Sequence, residues 1–336
     1  MMPVQLVVIE MAAVVSNAVI IVAKLFKEKF CGKKRKGSHG SLFWYTRAMR
    51  VTALTAKNPV ISILALDQAP ALAEQLQLDL TLLDNHQSLD RLLRLIYEEL
   101  APLVSGVLFD PVYSFPLMAL PHARGGTLIR LEQYRELPPE KLPELFPDFR
   151  LEEIRNNYAL AKLKLSYNPQ EAAALEKKQM LAEIQDYCRI LGIDFLLELE
   201  IFPLEPVKNP NQAWEAFVET QLQALQELYA QAQLFALDTP ADPLAIATLS
   251  TQLDVPWILR DPKITDYQQL KESFRMAVEN GAKGFLFAES LWPELGQYRQ
   301  ATGEIDWVAV EKYFQTTVRD RVIELVRIAT ESLADS

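Results

Sequence analysis

The chain has 336 residues, half of them hydrophobic and 23% charged, a balance that argues against disorder through most of its length and leaves room for one large core. Its net charge of −10 is uneven: residues 1–48 carry eight basic against two acidic side chains, or +6, which leaves −16 for the remainder. A body this acidic repels nucleic acid and acidic membrane surfaces, so no nucleic-acid partner is expected for it.

From Val4 to Ala23 the chain is almost continuously apolar, and about 20 residues just cross a bilayer. Glu10 and Asn17 interrupt the run, and a carboxylate at membrane depth costs about 2.5–3.5 kcal/mol on insertion scales. The basic stretch from Lys24 to Lys36 follows and would stay in the cytoplasm together with the body. No basic region precedes the run, which argues against a cleaved secretory signal. Three readings stand. The segment is a membrane anchor, or it lies upstream of a true start at Met49, or it is a buried or interfacial amphipathic helix. The expected location is cytoplasmic, or membrane-anchored through residues 4–23 with the body in the cytoplasm. Gly37–Ser41 reads as a flexible linker. The division expected is 1–48 as this extension and 55–333 as the folded domain.

Eight short β-rich runs follow in chain order: Val60–Asp67, Gly106–Pro111, Thr127–Glu132, Ala161–Tyr167, Phe195–Phe202, Ala232–Asp238, Pro256–Pro262 and Gly284–Glu289. Most are apolar and bounded by Gly, Pro or Asp, as buried parallel strands are. Helical spacing fills most gaps, over Gln87–Leu103, Gln170–Leu191, Asn211–Gln231, Tyr267–Asn280 and Asp306–Leu333. Alternating β and α segments predict a parallel sheet, and eight repeats predict closure into a (β/α)8 TIM barrel. An open doubly wound sheet would usually carry a Gly-rich first turn, whereas Gln68-Ala69-Pro70 follows strand one.

Barrel active sites sit at the C-terminal ends of the strands. Side chains two apart on a strand share a face, so Lys162 and Lys164 point one way, as do Glu198 and Glu200 on the next strand. Adjacent strands would bring these pairs within ion-pair reach. Asp67, Asp110, Asp238, Arg260, Asp261 and Glu289 stand at the ends of other strands. Such a cluster is either a polar pocket or a self-satisfied salt-bridge network that closes the barrel top. Cys31 and Cys188 are far apart, and His39, His86 and His122 are scattered, so no metal site and no cofactor are expected.

At these strands the sequence resembles the tagatose-1,6-bisphosphate aldolase family, a group of class I aldolase barrels. The resemblance runs from about Pro59 to Trp292 and is best in Ile61–Leu72, Glu98–Pro116, Ala161–Tyr167 and Asp194–Phe202. It implies a metal-independent carbon–carbon lyase acting on a phosphorylated ketose, in which a strand-six lysine forms a Schiff base with the substrate carbonyl. A strand-four lysine, a strand-five glutamate and a strand-one aspartate support that lysine, and Lys162, Glu198 and Asp67 stand at those positions. Lys164 joins them as a catalytic candidate. Gln68, Asp110, Tyr113 and Arg260 are the candidates for contact with a sugar or sugar-phosphate ligand.

The departures fall together. The family's strand-six Leu-Lys-Val-Glu aligns with Leu234-Phe235-Ala236-Leu237, so Phe235 takes the place of the reactive lysine, and no lysine lies between Lys208 and Lys263. The strand-seven phosphate loop reads Arg260-Asp261-Pro262, the strand-eight Gly-Arg reads Ala288-Glu289, and the Arg-Gly after strand one reads Ala69-Pro70. A catalytically altered or inactive relative of the aldolases is therefore expected. The alternatives are a lyase or transaldolase-like enzyme using Lys162 or Lys164 as nucleophile, and a membrane-tethered binding or scaffold domain.

Overall fold

The computed structural model describes residues 50–120, 125–135, 137–206, 208–240, 242–300 and 302–335. The apolar run, the basic linker, Met49, Cys31, His39 and His122 lie outside the described residues. Among the described residues, no helix is long and apolar enough to cross a membrane.

Eight parallel strands close into a barrel in sequence order: β1 (Ile61–Leu66), β2 (Gly106–Phe109), β3 (Gly126–Arg130), β4 (Leu160–Tyr167), β5 (Phe195–Ile201), β6 (Leu234–Leu237), β7 (Trp257–Arg260) and β8 (Gly284–Phe287), with β8 paired to β1. All eight expected runs are strands, mostly shorter by a residue or two at the polar end. There the chain leaves the sheet to build the mouth. Closure depends on Gly284, which has φ +147° and whose absent Cβ would sit 1.9 Å from the Ile61 carbonyl oxygen. Leu54, in the short turn that opens the described chain, plugs the other end against Gly106 and Gly126; a Cβ on either glycine would meet its Cδ2 at 2.5 Å.

The helices are α1 (Ala69–Gln75), α2 (Leu83–Leu100), α3 (Leu151–Asn156), α4 (Ala174–Leu191), α5 (Pro210–Leu228), α6 (Pro243–Thr251), α7 (Tyr267–Glu279), α8 (Trp307–Tyr313) and α9 (Arg319–Asp335). The expected long final helix is interrupted by a π-turn over Phe314–Val318. Helices α1, α3 and α6 were not legible as amphipathic runs. They have only seven, six and nine residues, too few for a face to repeat. Between β2 and β3 the chain holds a 3-10 turn, Phe115–Ala119, where the alternating pattern expects a helix.

Parallel register sets which residues face inward. Ile63 pairs with Gly106 and Leu286, Lys162 with Leu196, Glu198 with Ala236, and Ala236 with Ile258. One alternate set therefore fills the barrel. Its lower layer is apolar, with Ile63, Leu108, Leu128, Leu160, Leu196, Leu234, Ile258 and Leu286 all buried. The other set faces the helices: Phe285 and Phe287 pack edge-on against Phe274 of α7, Trp257 donates to Ser250 of α6, and Tyr167 donates to Glu227 of α5. Burial of this outer set against helices supplies the main driving force for the fold, at about 25 cal/mol per Å² of apolar surface.

Candidate functional site at the barrel mouth

Above the apolar layer the inward positions become charged. Lys162 lies at the centre, 2% exposed. Its ammonium reaches Asp67 of the β1 end at 3.1 Å, Glu132 beyond β3 at 2.8 Å and Glu198 of β5 at 2.8 Å. The ammonium donates to Asp67 and Glu132, and Glu198 completes the cage as an ion pair. Lys162 is level with Leu196 in the sheet, so its four-carbon stem runs up the barrel to reach Glu198. Burial alone would push the lysine pKa down. The Asp67, Glu132 and Glu198 charges outweigh it and hold the amine above its ordinary range, hence protonated.

Arg260 of β7 is the second hub, bonded to Asp238 at 2.7 Å and Glu200 at 3.2 Å and in ion contact with Glu198 at 3.4 Å. Glu198 thus bridges the hubs. Burial raises its carboxyl, but Lys162, Arg260 and Lys164 prevail and hold it at about 2. Arg130 at the end of β3 completes the layer. It donates to the Asp67 carbonyl and lies under Tyr134 and Phe146 of the β3–β4 loop, at 5.5 and 5.8 Å from the ring centres. That loop folds back through an antiparallel bridge between Glu132 and Leu145. Glu132 is driven the opposite way from Glu198: burial pushes its carboxyl up, and Lys162 and Arg130 only partly counter it. One oxygen each of Asp67 and Glu132 is buried with no hydrogen-bond partner among the described residues.

The remaining sequence candidates are placed as follows. Lys164 is 35% exposed and pairs with Glu200 at 3.3 Å. Asp110 is buried, and its carboxylate accepts the N–H groups of Val112 and Tyr113 at 2.6 and 2.7 Å, so it caps its own turn. Burial pushes its carboxyl up. Tyr113 is half-buried and stacks on His86 with ring centres 6.4 Å apart; burial, with Asp110 nearby, pushes its hydroxyl up. Gln68 is partly buried and precedes α1 without capping it. Cys188 is buried on the core-facing side of α4, its thiol raised to about 12 by burial and by Asp194. Among the described residues, no His, Cys, Asp and Glu group has metal-binding geometry.

The expectation that the Lys162/Lys164 and Glu198/Glu200 pairs meet across β4 and β5 is met by these distances. The i,i+2 rule applied to Thr127–Glu132 also identifies Arg130 and Glu132, which sequence reading passed over. The strand-six assignment needs correction in its geometry. Phe235 pairs with Leu197 and Trp257, both in the helix-facing set, and is fully buried there. The inward β6 position level with Glu198 is Ala236. Sliding the family's Leu-Lys-Val-Glu pattern by one residue sets it against Phe235-Ala236-Leu237-Asp238, with an acidic residue at its end.

No protein-family model matches the chain. Over 150 residues it is 32% identical to a tagatose 1,6-diphosphate aldolase of Listeria monocytogenes serotype 4a, covering 43% of this chain and 44% of that protein. Over 145 residues it is 29% identical to tagatose 1,6-diphosphate aldolase 2 of Streptococcus pyogenes serotype M1, covering 42% and 44%. The matched stretch thus spans less than half the length of these relatives. In fold it is similar to an archaeal fructose 1,6-bisphosphate aldolase, with TM-score 0.57 and 14% identity over 85% of this chain and 99% of that one. It is likewise similar to the fructose-bisphosphate aldolase of Slackia heliotrinireducens, with TM-score 0.58 and 10% identity over 87% and 91%. Over part of its length the chain is similar in sequence to tagatose 1,6-diphosphate aldolases, and over most of its length it shares the barrel fold of fructose-bisphosphate aldolases.

Proposed function

We propose that this barrel is an aldolase relative whose mouth binds a small polar ligand without Schiff-base chemistry. The observation that carries the reading is the Lys162 cage. Imine formation needs a neutral amine, and an ammonium that donates to two buried carboxylates and is ion-paired with a third is neither neutral nor free to attack. The inward side of β6 offers Leu234, Ala236 and, just beyond the strand, Asp238, none of them a nucleophile for a ketone. The ligand class this favours is a hydroxylated carbonyl compound such as a ketose, hydrogen-bonded by the rim carboxylates and Lys164.

The test is reductive trapping. The protein is incubated with a ketose or its phosphate, treated with borohydride, and its intact mass measured. The expected result is an unchanged mass. A stable adduct on any lysine contradicts the reading, and peptide mapping would identify the amine.

A second reading has one observation in its favour. Lys164 is on the same face as Lys162, is about one-third exposed, and meets a single carboxylate. A lyase or transaldolase-like enzyme on this barrel would use Lys164. Its check is Lys164→Met: loss of a trapped adduct in this variant supports the enzyme, and an adduct that persists excludes Lys164 as its site. The scaffold reading rests on residues 4–23, outside the described residues. A mature N-terminus at Met49, read by mass spectrometry, would remove it.

A further inference from the structure

Asp261 lies just beyond Arg260, where β7 ends beside β8. Its carboxylate does not join the ionic layer. One oxygen accepts the Ala288 N–H at 2.7 Å and the Ser290 N–H at 3.2 Å. The other accepts the Ser290 hydroxyl and the Lys263 N–H, the latter at 2.9 Å. Four donors from two strand ends therefore converge on one anionic group. Converging backbone N–H groups and a hydroxyl form the usual cradle for a phosphate or carboxylate from solution. In this chain the anion is covalently part of the cradle.

The surroundings point the same way. Glu289, between the two donor residues, is half-buried; burial pushes its carboxyl up, Lys263 opposes this, and the Asp261 charge adds to it. Arg260, the guanidinium next door, is already shared among Glu198, Glu200 and Asp238. A phosphate arriving here would find these donors taken by Asp261, the Arg260 guanidinium engaged by three carboxylates, and the Asp261 and Glu289 carboxylates in the cradle region, with Lys263 the cation beside them.

We propose that Asp261 is the specificity-determining residue of the mouth: it fills the anion cradle between the ends of β7 and β8 and so excludes phosphorylated ligands in favour of neutral hydroxylated ones. The proposal rests on the mouth being a ligand site, but its core, a cradle occupied from within, can be tested without knowing the ligand. Asp261 is partly exposed, so removing its carboxylate opens the cradle to solvent.

The experiment compares the full-length protein with its Asp261→Ala and Asp261→Asn variants. Inorganic phosphate is titrated by calorimetry, and melting is followed in phosphate against chloride at equal ionic strength. The Ala variant is expected to bind phosphate at least about tenfold more tightly than the parent, the yield of one recovered charge-assisted contact, and to be stabilised by phosphate beyond chloride. The Asn variant keeps the plug's shape and is expected to gain less than the Ala variant. An Ala variant that is unfolded in chloride and refolds in phosphate gives the same answer. One that binds no phosphate, or stays unfolded in it, overturns the proposal. So does a parent protein that binds phosphate as tightly as the Ala variant. Failure of the Schiff-base reading would be seen separately, as a trapped adduct on the parent.

Discussion

The two halves of the barrel mouth differ in what their strand ends do. From β1 to β5 the charged groups turn inward and meet at Lys162, drawing Asp67, Glu132 and Glu198 into one cage. From β6 to β8 the same level holds Ala236, Arg260 tied to acidic neighbours, and Asp261 bonded to the β8 end. The first half keeps the residue types the aldolase resemblance implies, and the second half does not. With no amine on the inward side of β6, the carboxylates around Lys162 hold it as an ion.

The largest expected effect tests the β6 register behind that contrast. Phe235→Lys forces a lone ammonium between strand and helices, and an unpaired buried charge is among the few changes that cost more than about 4 kcal/mol. Ala236→Lys instead points a cation inward, level with Glu198. Denaturant unfolding should find the Phe235 variant unfolded or nearly so and the Ala236 variant folded. The reverse order would mean the lysine position had been assigned to the wrong face.

Next in size is Lys162→Met. Removing one partner of a buried ion pair costs about 3–5 kcal/mol, because the charges left behind stay desolvated. The midpoint of urea unfolding should fall accordingly. A change below about 1 kcal/mol would mean that the cage contributes little to the fold.

The acid limb of stability comes third. Glu198 has a depressed pKa of about 2 against 4.5 for an ordinary glutamate. Its contribution is therefore complete above pH about 4.5 and is lost as pH falls toward 2. Glu132, Asp110 and Asp238 are raised. Their effect runs the other way, being present below their ordinary values and lost as pH rises through the raised ones. Stability should thus hold or rise slightly on acidification from neutrality and drop only below pH about 4.5. Glu198→Gln should flatten that drop, as read from unfolding midpoints across pH.

Lys164→Met should have the smallest effect. Its pair with Glu200 is about one-third exposed on both sides, and such pairs contribute about 0–1 kcal/mol. A loss comparable to that of Lys162→Met would erase the distinction drawn between the two lysines.

Much of this was legible in the sequence because strands one to eight are short, apolar and punctuated. The i,i+2 spacing of Lys162 with Lys164 and of Glu198 with Glu200 was enough to place two ion pairs across β4 and β5. The misplacement of Phe235 has a simple cause. Leu234-Phe235-Ala236-Leu237 is apolar throughout, so no alternation marks the inward face, and only pairing to β5 fixes it. The Asp261 plug was not legible, since three of its four donors come from Ala288 and Ser290, 27 and 29 residues away in sequence. Arg130 and Glu132 have the same i,i+2 spacing within Thr127–Glu132, so that pair was legible by the same rule although Glu132 lies two residues past the end of β3.

The central claim is that Lys162 is a locked ammonium. It is tested most directly by NMR of protein labelled with carbon-13 at the lysine ε-carbons, with the Lys162 signal assigned from Lys162→Arg and followed against pH. The account predicts no titration of Lys162 up to and beyond pH 10.5, the ordinary lysine value, for as long as the barrel stays folded. A Lys162 signal that titrates near neutral pH would contradict it, and would return this lysine to the list of nucleophiles.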